Sequence, residues 1–505
     1  MKEVITEYQT MKTTRIYCSI ILFTMGFYSA QAQYPADGLR LSQISSSVGA
    51  RSQAMGNSVV GIADDYSALF GNPAGLSQQK SFEFSVGLSS IGYDNDVTFF
   101  GYNIKDNNNA IRLDNLGIVY PIPTRQGGLT FAFGFGRVAN FTSVASFEGF
   151  NPSTSIVKTF KPYGGTQFGD FDLLTLSLDE ADNLINNQLA FRIFLADTLD
   201  DYLFPVLTDS VQQSTRILEG GGINHWSFGG GIDIAKNLSI GVTLNFVSGT
   251  YTFDNEFTES DTRNIYKSTY RFPYNFDHWI YANTITSDLS GFNALFGIMY
   301  RQPGKYRIGA TVRVPTTYEI SQTFTEDGTS YFDDGFFEKL SPALIHESKY
   351  QIVTPLVVSG GLSAQPLDWI MIAGDAEYTD WTKIEFETDD QELKKEHRDL
   401  KKMLRETWNL RCGAEVSIWD IGLKLRAGLE YKPSPWKNKP SSYDQIKYTC
   451  GFGFIIGENS SINASYALGV WKTDRNNLYW IKVPSFETSE LVTTNTINVT
   501  FSHRF

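Results

Sequence analysis

The side chains best suited to catalysis are few in this chain, and their spacing matches no catalytic motif. The five histidines are His225, His278, His346, His397 and His503. None lies in the His-Glu-x-x-His spacing that holds a catalytic zinc, and none accompanies a recognisable nucleophile motif. Only His225, followed by Trp226 and Ser227, offers the Ser/His pair that a lipase requires. We therefore predict neither an enzymatic activity nor a bound cofactor.

Cysteine content and net charge exclude two further classes of function. Cys18 lies in the N-terminal apolar run, whereas Cys412 and Cys450 fall in separate strand-like segments, so neither a disulfide nor a cysteine-based metal site is expected. The formal net charge is −13. Because nucleic acid phosphates repel an acidic chain, we expect no nucleic acid partner.

Charged side chains recur at alternate positions of several segments, so each set would share one face of a strand. They are Arg307, Arg313, Asp375, Glu377, Arg411, Glu415, Lys424, Arg426 and Glu430. In a narrow interior such residues would form ion pairs across neighbouring strands. One of the arginines could instead bind a carboxylate group, because a guanidinium can hold it with two parallel hydrogen bonds. The sequence does not single out which one.

The elements that must position these side chains are β-strands. Between 81 and 505, fourteen segments alternate apolar and polar residues with the period of two that is typical of a strand. The segments are 81–91, 111–121, 127–139, 224–236, 238–254, 290–301, 305–320, 350–364, 369–384, 406–418, 421–433, 446–457, 460–473 and 491–505. The pattern predicts an all-β fold. A separate strand over 95–104 is an alternative that would change the count.

The links between these segments alternate between short and long. Short links such as Asn237 and Trp419-Asp420 follow every second segment, and the longest link covers 140–223. Tight turns on one rim and long loops on the other are typical of outer-membrane barrels. We therefore predict a transmembrane antiparallel β-barrel of about 14 strands at 81–505, with long extracellular loops that contain some helix, for example over 184–204. Soluble sandwiches also alternate, so the face that points inward is open at this stage.

Both termini of the chain carry export signals. Lys12 and Arg15 precede the apolar run 16–27, and Ala30-Gln31-Ala32 has small residues where a signal peptidase cleaves. We predict a signal peptide at 1–32, with cleavage near Ala32 and a final location in the outer membrane of a Gram-negative bacterium. Met11 is an alternative start to Met1. The aromatic C-terminal residue Phe505 is typical of the signal that the barrel-assembly machinery recognises.

The segment between the signal peptide and the first strand carries the most specific motif. Within the Gly-, Ser- and Ala-rich residues 33–80, Asp64-Asp65 is followed by Asn72-Pro73-Ala74. This order resembles the N-terminal hatch of the long-chain fatty-acid transporter (FadL/TodX) family, over roughly 45–76. The resemblance implies a hatch, or plug, at 33–80 inside the lumen, with Asp64, Asp65, Asn72, Pro73 and Ala74 as its motif. Such a plug is also physically reasonable, because a barrel of this size would otherwise leak.

The resemblance further implies a lateral gate, since members of this family release cargo sideways where the third strand is kinked. The third segment here contains glycines between aromatic residues, and glycine inside a strand weakens pairing and favours bulges. The candidate gate residues are Phe131, Phe133, Gly134, Phe135 and Gly136. Glycine also fits aromatic neighbours in barrel walls, which is the structural alternative.

Two functions are compatible with these expectations. In the first, the protein takes up hydrophobic small molecules such as long-chain fatty acids, through loop capture, a pocket in the lumen and lateral release into outer-membrane lipid. In the second, the same fold is a shuttle or docking component of a type IX-like secretion system that binds a secreted protein cargo. In both, we expect the barrel-assembly machinery to recognise Phe505.

Overall fold

The structure of the protein is a computed structural model. It describes residues 35–45, 47–159, 171–172, 189–199, 202–269, 273–387, 394, 398, 400–475, 477–478, 481–482 and 488–505. The predicted signal peptide at 1–32 lies outside the described residues.

Strands account for most of the described chain. They are β1 (Glu83–Phe99), β2 (Tyr102–Ile122), β3 (Leu129–Asn140), β4 (Ser143–Asn151), β5 (Phe171–Asp172), β6 (Ala196–Leu199), β7 (Tyr202–Pro205), β8 (Val211–Ala235), β9 (Leu238–Ser260), β10 (Phe276–Gln302), β11 (Tyr306–Arg313), β12 (Thr317–Phe332), β13 (Phe337–Lys339), β14 (Leu344–Val353), β15 (Val357–Leu367), β16 (Ile370–Asp380), β17 (Glu385–Glu387), β18 (Glu406–Ile418), β19 (Leu423–Lys432), β20 (Gln445–Ile456), β21 (Ser460–Arg475), β22 (Asn477–Leu478), β23 (Ile481–Lys482) and β24 (Thr488–Arg504).

These strands form a closed antiparallel barrel, whose wall has fourteen strands in the part of the chain that is described. In order around the barrel they are β1, β2, β3 with β4, β8, β9, β10, β11 with β12, β14 with β15, β16, β18, β19, β20, β21 and β24. The first and last strands close the ring, with Glu83 opposite Arg504 and Thr98 opposite Ser489. The predicted fold class and strand number are confirmed.

The polar rows of the strands face inward, which answers the question that the sequence left open. On β9, Ser239, Thr243 and Asn245 are buried, whereas the intervening Leu244 and Phe246 are exposed. Exposed Ile, Leu, Val and Phe side chains recur on the outer surface of the neighbouring strands. The barrel therefore has an apolar outer belt, as a bilayer requires.

The short turns lie on one rim, as predicted. They cover 123–128, 236–237, 303–305, 368–369, 419–422 and 457–459. On the opposite rim the strands extend beyond the apolar belt, so several links are shorter than the sequence pattern predicts. The expected long link between the first two strands is wrong, because Phe100-Gly101 is a tight turn and residues 95–104 are the tip of the β1–β2 hairpin.

The connection predicted at 140–223 is shortened in the same way, because β4 and β8 occupy both of its ends and leave 152–210 as the link. Its predicted helix over 184–204 is wrong for the residues that follow Arg192, since β6 and β7 form a hairpin there. Ile156, Val157, Leu189, Ile193 and Leu195 of this link are buried, whereas Phe194 is exposed. The buried residues belong to an apolar core at the extracellular end of the barrel.

Helices are short and few among the described residues. The α-helices are α1 (Pro35–Ser42), α2 (Ala50–Ala54), α3 (Ala68–Gly71) and α4 (Leu189–Arg192), and the 3₁₀ helices are Pro73–Gln78, Ile156–Thr159, Trp381–Lys383, Trp419–Ile421 and Ser441–Tyr443. None of the helices in the described chain has both the length and the apolarity needed to cross a bilayer. Helices α1 to α3 and the first 3₁₀ helix lie inside the barrel, where they are enclosed by strand residues.

Candidate functional site

The Asn-Pro-Ala turn of the hatch rests on bare backbone of the wall. Gly231, Gly241 and Gly297 are register partners on β8, β9 and β10. A Cβ atom on Gly241 would lie 2.3 Å from the carbonyl carbon of Pro73, closer than any stable contact. Glycine is therefore required on this row, because a side chain would push the turn out of its position.

Hydrogen bonds fix the same turn. The Asn72 side chain is buried and donates from Nδ2 to the carbonyls of Val60 (2.9 Å) and Ile298 (3.3 Å). Its Oδ1 accepts from the backbone N–H of Ala74 at 3.1 Å. Pro73 is the first residue of the following 3₁₀ helix, where its missing N–H costs nothing. Asn72 thus links two parts of the hatch to strand β10.

The two aspartates of the motif belong to an ion cluster between hatch and wall. Arg51 donates to Asp64, Asp65 (2.9 Å) and, on β18, Glu415 (3.1 Å). From the other side, Arg307 on β11 donates to Asp64 at 2.9 Å. Burial alone would raise the pKa of Asp64, but the charges of Arg51 and Arg307 hold it well below its ordinary value. Asp64 therefore stays ionised, and the cluster as a whole joins the hatch to β11 and β18.

The inward charges predicted from the sequence are mostly paired. Arg411 binds Glu377 (3.1 Å) and Glu430 (3.0 Å), and Arg426 binds Glu415 (2.7 Å). Arg313 differs, because among the described residues it has neither a hydrogen-bond nor an ion-pair partner.

A cavity of about 470 Å³ lies in the lumen beside the hatch. Its lining includes residues of the hatch, of β1, of the β3–β4 region and of the opposite wall. The charged members are Arg40, Asp114, Arg137, Glu219, Arg313, Glu377, Lys432 and Lys447, and the aromatic members include Tyr93, Phe141, Trp381 and Trp471. A cavity of this size with mixed lining suits a small molecule that has an apolar body and a polar group.

The backbone ladder of the wall is incomplete next to this cavity. The β1–β2 ladder extends to Phe99 opposite Tyr102, whereas the β2–β3 ladder stops at Asn115 opposite Gly136. Beyond Gly136 the third strand bulges between Arg137 and Ala139, and β4 pairs with β8, whereas its contacts with β2 are made by side chains. Residues 102–114 of β2 have no described strand partner on the side that faces β3. We call this region of the wall the lateral opening.

The lateral-gate candidates lie just below this opening. Gly134 and Gly136 occupy the last paired positions of β3 and face the hatch. Phe131 and Phe133 are exposed on the outer wall, where their rings stack on Phe228 and Trp226. The register shift of β3 on β8 follows Gly136, between Arg137 and Ala139, and these residues are not among the candidates predicted from the sequence. A bulge of this kind has no distinct signature in the alternation, so only the pairing reveals it.

The faint hydrolase pattern around His225 is not assembled. Ser227 Oγ donates to Asn245 Oδ1 at 2.6 Å, and Nε2 of the buried His225 has no hydrogen-bond partner among the described residues. The described part of the chain holds no group of three or more His, Cys, Asp or Glu side chains that could bind a metal ion.

Comparison with known proteins agrees with this architecture. A model of the family described as outer membrane protein transport protein (OMPP1/FadL/TodX) matches residues 226–484, about half of the chain. The chain belongs to the OMPP1/FadL/TodX family. It is accordingly an outer-membrane β-barrel transport protein and not an enzyme.

Solved structures share the fold of this OMPP1/FadL/TodX protein. The Pseudomonas putida toluene transporter TodX is 14% identical, with a TM-score of 0.54 over 91% of this chain and 99% of that chain. A Pseudomonas aeruginosa FadL homologue is 13% identical, with a TM-score of 0.54 over 91% of this chain and 98% of that chain. A comparison with curated protein sequences finds no match. Identities this low establish the common barrel and leave the cargo of this member open.

Proposed function

We propose that this protein takes up hydrophobic small molecules, such as long-chain fatty acids, and releases them sideways through the lateral opening. After export directed by residues 1–32, the extracellular loops would collect the cargo and pass it to the lumen cavity. The observation that carries the proposal is the position of residues 137–143, which line the cavity at the point where β3 leaves β2. A molecule in the cavity is thus adjacent to the incomplete part of the wall.

The route from the cavity toward the periplasm is less favourable for an apolar molecule. Toward the periplasm, the hatch residues Leu69, Ala74 and Leu76 are fully buried between the hatch and the strands. A watery channel offers nothing to an apolar molecule, whereas the bilayer outside the opening provides the apolar environment that such a molecule prefers. The exposed Leu113 and Ile111 of β2 flank the opening on its outer side.

The proposed test closes the lateral opening with a reversible bond. Ser146 Oγ on β4 donates to Asp106 Oδ2 on β2 at 2.6 Å, so the pair Asp106→Cys with Ser146→Cys is placed to form a disulfide across the opening. The background carries Cys412→Ala and Cys450→Ala. We expect the oxidised variant to lose most of its uptake of a labelled fatty acid into vesicles, and a reductant to restore it.

A matched control uses a ladder that is already complete. Ser227 and Asn245 are register partners on β8 and β9 with side chains 2.6 Å apart, so Ser227→Cys with Asn245→Cys adds an equivalent bond within a complete ladder. Oxidation of this control should leave uptake unchanged. Equal uptake by the oxidised and reduced forms of the Asp106/Ser146 variant would contradict lateral release.

The secretion-component alternative stays a hypothesis without a supporting contact. Within the link 152–210, Ile156, Val157, Leu189, Ile193 and Leu195 pack into the extracellular core of the barrel, and among the large described apolar residues Phe194 is exposed.

A further inference from the structure

The end of the β2–β3 ladder is in contact with one side chain of the hatch. The hydroxyl of Tyr66 lies 3.1 Å from the carbonyl oxygen of Leu116 on β2 and 2.9 Å from that of Phe135 on β3. Leu116 and Phe135 are register partners, one position below the last pair of the ladder. A single phenol therefore bridges the two strands immediately beneath the lateral opening.

The wall is shaped to admit this ring. Gly117 and Gly134 are the next register pair of the same ladder. A Cβ atom on Gly117 would lie 2.2 Å from the Tyr66 ring, and a Cβ atom on Gly134 would lie 2.2 Å from the Tyr66 hydroxyl oxygen. Both strands thus lack a side chain at the point where Tyr66 covers them.

A second hatch ring continues the contact up to the last pair. Phe70 packs edge to face against Tyr66, with ring centroids 5.8 Å apart. A Cβ atom on Gly136 would lie 2.5 Å from the Phe70 ring. The final three pairs of the ladder are therefore covered by hatch aromatics and contribute no inward side-chain packing of their own at Gly117, Gly134 and Gly136.

The pairing of β2 with β3 at these positions depends on the contacts with the hatch aromatics. Glycines weaken strand pairing, and backbone carbonyls in a membrane wall need hydrogen-bond partners because lipid supplies none. With Tyr66 in place the ladder ends at Asn115; with Tyr66 withdrawn, the Leu116 and Phe135 carbonyls lose that donor and the uppermost pairs are free to separate.

The hatch segment beside the cavity is joined to Tyr66. Arg51, whose neighbours Val48, Gly49 and Gln53 line the cavity, binds Asp65 at 2.9 Å. Asp65 in turn accepts from the backbone N–H of Ser67 at 2.8 Å, which places Tyr66 between these two bonded residues. Displacement of the cavity-lining segment by cargo would therefore pull on the part of the chain that holds the tyrosine.

We propose that Tyr66 is the positioning residue that sets the width of the lateral opening and couples the hatch to it. The inference rests on the proposed lateral route and assigns its regulation to one hydroxyl and a pair of facing glycines. Cargo that shifts the hatch withdraws Tyr66, the top of the β2–β3 ladder separates, and the opening extends downward.

The test measures the ladder directly, without reference to transport. Hydrogen exchange of the backbone amides at 115–117 and 134–136 is recorded for the full-length protein in lipid. Tyr66→Phe keeps the ring and removes the hydroxyl, so exchange at these amides should accelerate by roughly three- to tenfold, the effect of one lost hydrogen bond. Gly134→Ala displaces the ring and should produce the same change, with no further acceleration in the double variant.

The control is Tyr281→Phe, which removes a buried hydroxyl bound to Glu326 at 2.9 Å in the extracellular part of the barrel. It should leave exchange at 115–117 and 134–136 as in the unmodified protein. If exchange at these amides is unchanged in Tyr66→Phe, the assignment of Tyr66 is overturned, whatever the effect of the variant on fatty-acid uptake. Accelerated exchange with unaltered fatty-acid uptake would instead uphold the Tyr66 contact and contradict the lateral route.

Discussion

At the scale of single residues, Arg313 stands out among the luminal cations. Arg411 and Arg426 are neutralised by carboxylates, whereas no described carboxylate binds Arg313, which lines the cavity. Glu377 attracts the charge of Arg313 without forming a direct bond to it, so a carboxylate supplied by the cargo would be a direct partner and would stabilise this site. The same cavity wall carries aromatic surface for an apolar tail.

We expect Arg313→Met to weaken binding of a long-chain fatty acid by about tenfold, the effect of one lost charged hydrogen bond. Binding of the corresponding fatty alcohol should change little, because it has no charge to neutralise. Fluorescence displacement in detergent measures both ligands on the same preparation. An equal loss of affinity for the fatty acid and for the fatty alcohol would show that Arg313 supports only the shape of the cavity.

Glu326 is a second residue with an unusual environment. It lies on β12, whose outward residues Glu319 and Ser321 are polar, so this part of the strand is beyond the apolar belt. Burial raises the pKa of Glu326 to about 7, although the hydrogen bond from Tyr281 partly opposes the shift. His346 Nε2 is 3.7 Å away.

The raised pKa makes a prediction about pH. The folded state holds the proton more tightly than the unfolded chain, so the stabilising contribution is complete below the ordinary carboxyl pKa and is lost as the pH rises through about 7. We expect the extracellular part to melt at a lower temperature at pH 8 than at pH 5, with Trp279 fluorescence as the readout. Glu326→Gln should remove this difference in melting temperature. If the difference persists in the variant, another titratable group causes it.

At the scale of elements, the hatch and the strands are matched by glycines. Gly231, Gly241 and Gly297 form one row beneath Asn72-Pro73, and the sequence gives no sign that these three positions meet. The Asn-Pro-Ala motif could be recognised in the sequence. The glycine row that it contacts could not, because strand register brings together residues that are far apart in sequence.

Gly241→Ala should therefore displace the Asn-Pro-Ala turn, since the new Cβ atom would lie 2.3 Å from Pro73. We expect single-channel conductance in a planar bilayer to increase as the plug loosens. Gly360→Ala is the matched control, because no heavy atom lies within 4 Å of the Cβ position there. Equal conductance for the two variants would mean that the row does not hold the hatch.

At the scale of the whole molecule, the apolar belt and the closing strand concern assembly. Phe505 is 70% exposed, its ring centroid is 5.2 Å from that of Phe82, and its N–H donates to the Phe82 carbonyl at 2.9 Å. Most of the ring is thus available to a partner at the short-turn rim.

We expect Phe505→Ala to slow insertion into vesicles that contain the barrel-assembly machinery. The shift in gel mobility on heating measures how much of the protein has inserted. Phe454→Ala, which removes another exposed phenylalanine from the wall, should have a smaller effect. Because a loss of intrinsic stability would also slow insertion into pure lipid, equal slowing with and without the machinery would argue against recognition of Phe505.

The sequence by itself determined the class of the fold and the links that are short turns. Alternation with a period of two places residues such as Thr243 and Phe246 on opposite faces, and the short turns mark one rim, since both are local properties of a strand and its links. The hatch motif was recognisable because its residues are contiguous.

Only the tertiary structure decided what the hatch touches and where the backbone ladder of the wall ends. The position of Arg313 in the cavity, the contact of Tyr66 with Leu116 and Phe135, and the end of the β2–β3 ladder depend on which strands are neighbours and in what register. Those distances join residues separated by dozens to hundreds of positions, and local residue patterns carry no information about them.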